Sequence, residues 1–181
     1  LWHTLIEADN YHALQLLEYL YPKQVDCIYI DPPYNTGARD WKYNNDYVDS
    51  ADQWRHSKWL AMMKRRLLLA KRLLKDDSVL VVTVDEHEVH HLAAMLEELF
   101  PGVPMQMVTI CINPSGASSE GLSRVEEYAL FLFLGSTKPA RLPDDCLSDE
   151  EQSNGATIWE SLLRRGNAWY RHTRRNLCYP V

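Results

Sequence analysis

VDCIYIDPPYNTG, residues 25–37, is the stretch on which the fold and the chemistry both turn. Its first six residues are an almost unbroken apolar run rich in β-branched and aromatic side chains, the pattern of a central parallel strand covered on both faces. Asp31-Pro32-Pro33-Tyr34 follows directly. In open α/β sheets ligands gather beyond the carboxyl ends of the strands, so a tetrapeptide at such an end stands where binding and catalysis occur. Two adjacent prolines lack amide protons and have fixed φ angles, which leaves the Asp31 and Pro32 carbonyls directed out of a stiff, extended turn. A carboxylate, a rigid carbonyl and an aromatic ring within four residues make a receptor for a planar group bearing an NH2, with the ring stacked on its plane. The exocyclic amine of a nucleobase fits. Its lone pair is delocalised into the ring, and two acceptors gripping its two protons localise that pair and aim it at an electrophilic carbon. The plain alternative is a proline-rich turn that closes a strand.

Outward from this stretch, HTLIEA at 3–8 reads as a short strand that Asp9 and Asn10 stop, capping a helix in which YHALQLLEYL has helical spacing. Pro22 ends that helix. Residues 35–52 are polar, lack periodicity and read as a surface loop. Leu60, Met63, Leu67, Ala70 and Leu74 step by threes and fours, giving a long amphipathic helix over 54–74. VLVVTV at 79–84 is a second buried strand, after which Asp85 and Glu88 read as a cap pair for a helix that Pro101-Gly102 breaks. MQMVTICI at 105–112 and YALFLFL at 128–134 are further strands. Strands alternating with helices give an α/β class with a largely parallel sheet.

The 181 residues amount to one domain or a large part of one, and 46% apolar residues provide for a real core. No apolar run approaches the ~18 residues of a membrane span, so no membrane partner is expected. Cys27, Cys111, Cys146 and Cys178 are far apart with no C-x-x-C pair, which excludes a zinc ribbon or a small disulfide scaffold and goes with reduced thiols in a cytoplasm. The formal charge of −6 would disfavour a nucleic-acid partner, but its placement matters more. Arg55, Lys58, Lys64, Arg65, Arg66, Lys71, Arg72 and Lys75 form a basic strip without a single intervening acid, and Arg164, Arg165, Arg171, Arg174 and Arg175 crowd the far end. Between them PDDCLSDEEQSNGA, residues 143–156, is an acidic, turn-rich connection. A basic helix face is a solvated surface unless something else in the chain handles nucleic acid.

DPPYNTG after VDCIYI resembles the catalytic motif of DNA adenine-N6 methyltransferases that use S-adenosylmethionine, and IEADNYHALQLL resembles their strand-acid-helix segment. The basic helix with DDSVLVVTVDEHEVHHLAAMLEELF, EEYALFLF and the ending WESLLRRGNAWYRHTRRNLCYPV are similar to the modification subunits of type III restriction systems, so the likeness runs through nearly the whole chain. The resemblance implies a permuted, Rossmann-like sheet, with Asp31, Pro32, Pro33 and Tyr34 catalytic and Asp9, Asn10 and Asp31 facing the cofactor. A flipped-out adenine would stack on Tyr34, its amine held by Asp31 and the Pro32 carbonyl. Lys64, Arg65, Arg174 and Arg175 are the candidate phosphate contacts. DNA, a restriction subunit and a second methyltransferase copy are the implied partners. The family's usual glycine before the cofactor acid is Ala8 here, and its F-x-G-x-G loop is absent, since none of the seven glycines form G-x-G. The expectation is therefore the N-terminal part of an enzyme, lacking the glycine-loop strand and binding cofactor poorly alone. Its catalytic part would occupy 1–135, and 136–181 would lead toward DNA recognition or the remaining half.

Three other readings compete. Cytosine-N4 methylation presents the same two amine protons. A non-catalytic DNA-binding or assembly segment needs only the basic surfaces. His87-Glu88-Val89-His90-His91 matches the H-E-x-x-H signature of zinc proteases on a helix. At 100° per residue, however, Val89, Leu92, Leu96, Leu99 and Phe100 occupy the core face, which turns His87 and His91 toward water, and no metal is expected. His3, His12, His56 and His172 have no partner at a recognisable spacing, and the tryptophans are expected to pack.

Overall fold

A computed structural model describes residues 3–43, 46–114 and 123–140 of the chain. Helix α1, Asn10–Leu20, begins where the Asp9 carboxylate accepts the Tyr11 amide at 2.9 Å, the cap expected from the sequence. It lies alongside the C-terminal half of helix α2, Arg55–Leu73, and runs in the same direction. Arg66 Nε donates to Asn10 Oδ1 at 2.6 Å, and Arg72 pairs with Glu18 at 2.6 Å. Residues 3–8 do not form the expected strand, and Leu5 is almost fully exposed. A strand persists only when its amides and carbonyls find a neighbour, and none of the described strands pairs with this segment.

Strand β1, Val25–Ile30, pairs in parallel with β4, Leu74–Val84, which in turn pairs antiparallel with β6, Glu126–Leu134, and β6 with β5, Met105–Cys111. The order is β1-β4-β6-β5. Three strands therefore run one way and β6 runs against them, which makes the sheet mixed in pairing though mostly of one direction. β1 is at the edge of this sheet rather than at its centre: Ile28 and Ile30 pack against the core while Tyr29 is exposed. The continuous apolar run thus reads as a strand correctly, but its outer face is uncovered in the described residues.

One sheet face carries α2 and helix α3, Val89–Leu99. Trp59, Met63 and Leu67 from α2 meet Leu92, Leu96 and Leu99 from α3 over Leu80, Val82, Val84, Leu130 and Leu132. Each such side chain contributes about 1.5–3 kcal/mol on burial. The spacing expected of α2 is what fills this face.

The polar segment 35–52 is not a bare loop. It folds into a hairpin of β2, Ala38–Tyr43, and β3, Asp46–Asp49, whose Trp41 and Val48 are buried in the main core. Two aromatic or branched anchors suffice to dock a short hairpin, and they are too few to show a period in the sequence. Gly37 enters it with φ +87°, and a Cβ there would meet the Ser50 side chain at 2.6 Å, so the turn requires glycine. Of the tryptophans described, Trp41 and Trp59 pack as expected whereas Trp54 is exposed. No described helix is long and apolar enough to cross a membrane.

Candidate active site

β1 delivers Asp31 to the carboxyl edge of the sheet, where it is exposed, while Pro32 is buried behind it. The neighbouring strand supplies the group that orients the acid: Thr83 Oγ1 donates to Asp31 Oδ1 at 2.8 Å. Thr83 is a hydroxyl within the otherwise apolar run 79–84 that ends β4, and that oddity is the sequence signal that marks it. The two prolines do stiffen the turn, but the carbonyl engaged from within the protein is that of Pro33, which accepts Trp59 Nε1 at 2.6 Å.

Tyr34 is half-buried. Its hydroxyl donates to Glu127 Oε2 at 3.3 Å, and Glu127 is held on its other oxygen by Arg124 at 3.0 Å. Arg124 also reaches Glu86 at 3.0 Å and Asp85 at 3.7 Å, so one cation steadies three acids beside the strand ends. Burial pushes the Tyr34 phenol from the ordinary 10.0 up to about 12, the Thr83 hydroxyl opposes the rise, and the Asp31 and Glu127 carboxylates add to it. The ring thus stays neutral. Because the folded protein holds this proton more tightly than the unfolded chain, the unfolded state ionises first, and the Tyr34 contribution to stability falls as pH climbs from 10 toward 12. The difference between alkaline absorbance titrations of wild type and Tyr34→Phe is expected to show a phenol ionising late, and a difference that titrates as an ordinary phenol would contradict this.

Directly below the turn lies a buried polar group that the sequence reading missed. Asn35 is fully buried with φ +60°, and its side-chain amide bridges Trp41 Nε1, at 3.1 Å, and Glu88 Oε1, at 2.5 Å. His56 Nδ1 donates to the same Glu88 oxygen at 2.5 Å. Glu88 stands at the N-cap position of α3 as expected, but its side chain makes no capping bond and is held by Asn35 and His56, whereas Asp85 accepts the His87 amide at 3.0 Å. An acid four residues before Leu92 on the core face was the available signal.

The H-E-x-x-H match does not assemble. His91 groups with His56 and Glu88, while His87 groups with Asp85 and Glu86. His91 is exposed, as expected, and His87 is partly so, its ring bonded to Asp85 at 2.9 Å. In the first trio the ligand atoms all lie within 4.8 Å of one another, and the 2.5 Å from His56 to Glu88 is that of a hydrogen bond.

The residues expected to face a cofactor, Asp9, Asn10 and Asp31, are all exposed; Asp9 also caps α1, and Asn10 accepts from Arg66. Of the candidate phosphate contacts, Arg65 is exposed and Lys64 is paired with Glu98 at 2.8 Å. Much of the basic strip is shared in this way, with Lys58 on Asp52, Arg72 on Glu18 and Lys75 on Asp26. Arg174, Arg175 and the acidic connection lie outside the described residues.

Comparison with known proteins fits this geometry. The family model described as DNA methylase, for N6 and N4 enzymes, matches residues 25–170. This chain belongs to the DNA methylase family. Among curated relatives, the type II methyltransferase M.KpnI of Klebsiella pneumoniae is 30% identical over 182 residues, covering 96% of this chain and 43% of the relative. A probable type III restriction-modification enzyme HindVI Mod subunit of Haemophilus influenzae is 39% identical over 143 residues, covering 77% of this chain and 18% of that subunit. This DNA methylase chain thus spans under half the length of the relatives it matches. In fold it is similar to a putative DNA modification methylase of Thermus thermophilus, solved with S-adenosyl-L-methionine, at a TM-score of 0.50 and 15% identity, covering 76% of this chain and 55% of that one.

Proposed function

We propose that the protein transfers a methyl group from S-adenosylmethionine to the N6 amine of adenine in DNA, within a restriction-modification system. The observation that carries this is the clamp at the sheet edge: an exposed Asp31, fixed by Thr83 from the adjacent strand, beside a neutral, anchored Tyr34. Asp31 accepts one proton of the amine, and the Pro32 carbonyl, held in place by the ring before and after it, accepts the other. The Tyr34 ring stacks on the extruded base. As the new N–C bond forms, positive charge grows on nitrogen next to the Asp31 carboxylate, which stabilises it before the proton leaves.

Asp31 also fits the cofactor, whose sulfonium is positive and supplies the methyl group, and Asp9 and Asn10 at the start of α1 are proposed to hold it further out. Lys64 and Arg65, with Arg174 and Arg175, are proposed to meet phosphates. Residues 1–135 act as the catalytic part and 136–181 lead toward DNA recognition. A restriction subunit or a second copy as partner, and a cytoplasmic location, go with this reading.

Adenine is preferred over cytosine because the motif begins with Asp, a preference that rests on family likeness. Nucleoside analysis of DNA methylated by the full-length protein tests it: N6-methyladenine is expected. N4-methylcytosine would move the assignment to the other amine, and unmethylated DNA would overturn it.

A further inference from the structure

We propose that Glu88 is a positioning residue for the clamp, acting through the side chain of Asn35. The inference rests on the methyl-transfer reading above and assigns a task to a group that reading leaves idle. Tyr34 has one structural restraint on either side of it in the chain. Before it, the Pro33 carbonyl is tied to Trp59 on α2; after it, the Asn35 amide is tied to Glu88 at the start of α3 and to Trp41 in the hairpin. The backbone that presents Asp31 and Tyr34 is thereby pinned to three separate elements.

The acid is costly where it sits. Glu88 is fully buried, and its Oε2 has no hydrogen-bond partner among the described residues. Removing a carboxylate from water carries a penalty of several kcal/mol, and an apolar residue on the core face of α3 would pack without that penalty. What an apolar residue lacks is an acceptor for two donors at once. Oε1 takes both Asn35 Nδ2 and His56 Nδ1, so a single oxygen joins the catalytic turn to α2 and α3. Asn35 in turn occupies a left-handed conformation that asparagine tolerates better than most residues, and its carbonyl oxygen is left to receive the Trp41 indole. From indole to amide to carboxylate, each donor in this relay meets an acceptor, and one carboxylate oxygen is spare.

Asn35→Gly tests the tether, because glycine adopts φ +60° without strain, so the change is confined to the buried Asn35 side chain, its hydrogen bonds and the space it fills. In the full-length protein, with duplex DNA and S-adenosylmethionine, its kcat is expected to fall by about 10²-fold, with KM for both substrates within about twofold. Glu88→Ala should lower kcat in the same manner, and Glu88→Gln, which keeps an acceptor oxygen, should restore most of it. A purely structural role would not produce that split. The Trp41 indole N–H resonance gives a readout independent of activity: it is expected to move in Asn35→Gly and, through Asn35, in Glu88→Ala. Should Glu88→Ala fail to fold, Asn35→Gly decides alone. Full kcat in Asn35→Gly, or an unmoved indole resonance in either variant, overturns the proposal. If wild type methylates no DNA, the functional reading fails, and the tether is then judged on the indole resonance.

Discussion

Replacing Asp31 by alanine in the full-length protein is expected to lower the rate of methyl transfer by about 10³-fold, the upper range for removal of one preorganised electrostatic partner of a transition state. The effect falls on chemistry because of where the side chain lies. Asp31 is exposed and is tied to the neighbouring strand through the Thr83 hydroxyl, so its loss removes no core contact, and a surface substitution of this kind changes stability within about 0.5 kcal/mol. Rate and stability should therefore separate cleanly. DNA binding, which depends on phosphate contacts elsewhere, should be nearly retained. Thr83→Val provides a graded comparison: the shape is kept, the hydroxyl is lost, and the carboxylate is left to rotate away from the direction in which it now points. A loss of about tenfold is expected there, in line with a modest misplacement rather than a missing group. Equal rates for Asp31→Ala and wild type, measured by transfer of labelled methyl to DNA, would remove the clamp as the catalytic device.

How much of this was legible beforehand depends on the kind of signal each residue carried. The stiff turn after β1 was, because adjacent prolines after an apolar run leave little conformational choice. α2 was as well, since nineteen residues with a sustained period define both the element and its buried face. The hairpin was not. Trp41 and Val48 anchor it from opposite strands, and two isolated apolar residues in a polar stretch generate no periodicity to read. β1 was placed at the centre of a sheet because composition reports how apolar a strand is, whereas the number of its neighbours depends on which other strands are there to pair with it. The residues 3–8 strand failed for the same reason. Glu88 was misassigned by a different route: an acid just before a helix has a common local role, and the local role was overridden by a long-range one, to Asn35 and His56, that no spacing rule contains. Thr83 and Glu127 likewise act across strands. Their contribution became visible only once parallel and antiparallel pairing brought β4 and β6 beside the end of β1.

Trp59 joins the core to the turn proposed to be catalytic, and its substitutions should divide those two tasks. The side chain is fully buried on α2, and Trp59→Ala is expected to cost about 3–5 kcal/mol. Against the ~5–15 kcal/mol that holds a domain together, such a loss removes from about a fifth to all of the stability. Denaturant titration should show a lowered midpoint with an unchanged slope. Trp59→Phe separates the contributions. Much of the aromatic packing remains, but the Pro33 carbonyl loses the indole N–H that it accepts at 2.6 Å. A part-buried acceptor left without a donor costs about 1–3 kcal/mol, so the variant should stay folded. Its turn, however, then lacks the Pro33 tie and keeps the Asn35 tether with the Thr83 and Glu127 side-chain contacts, and the methylation rate should fall further than the stability loss would explain. A Trp59→Phe protein that is destabilised by this amount yet fully active would mean that the Pro33 tie serves the core and leaves the clamp to be held by Asn35.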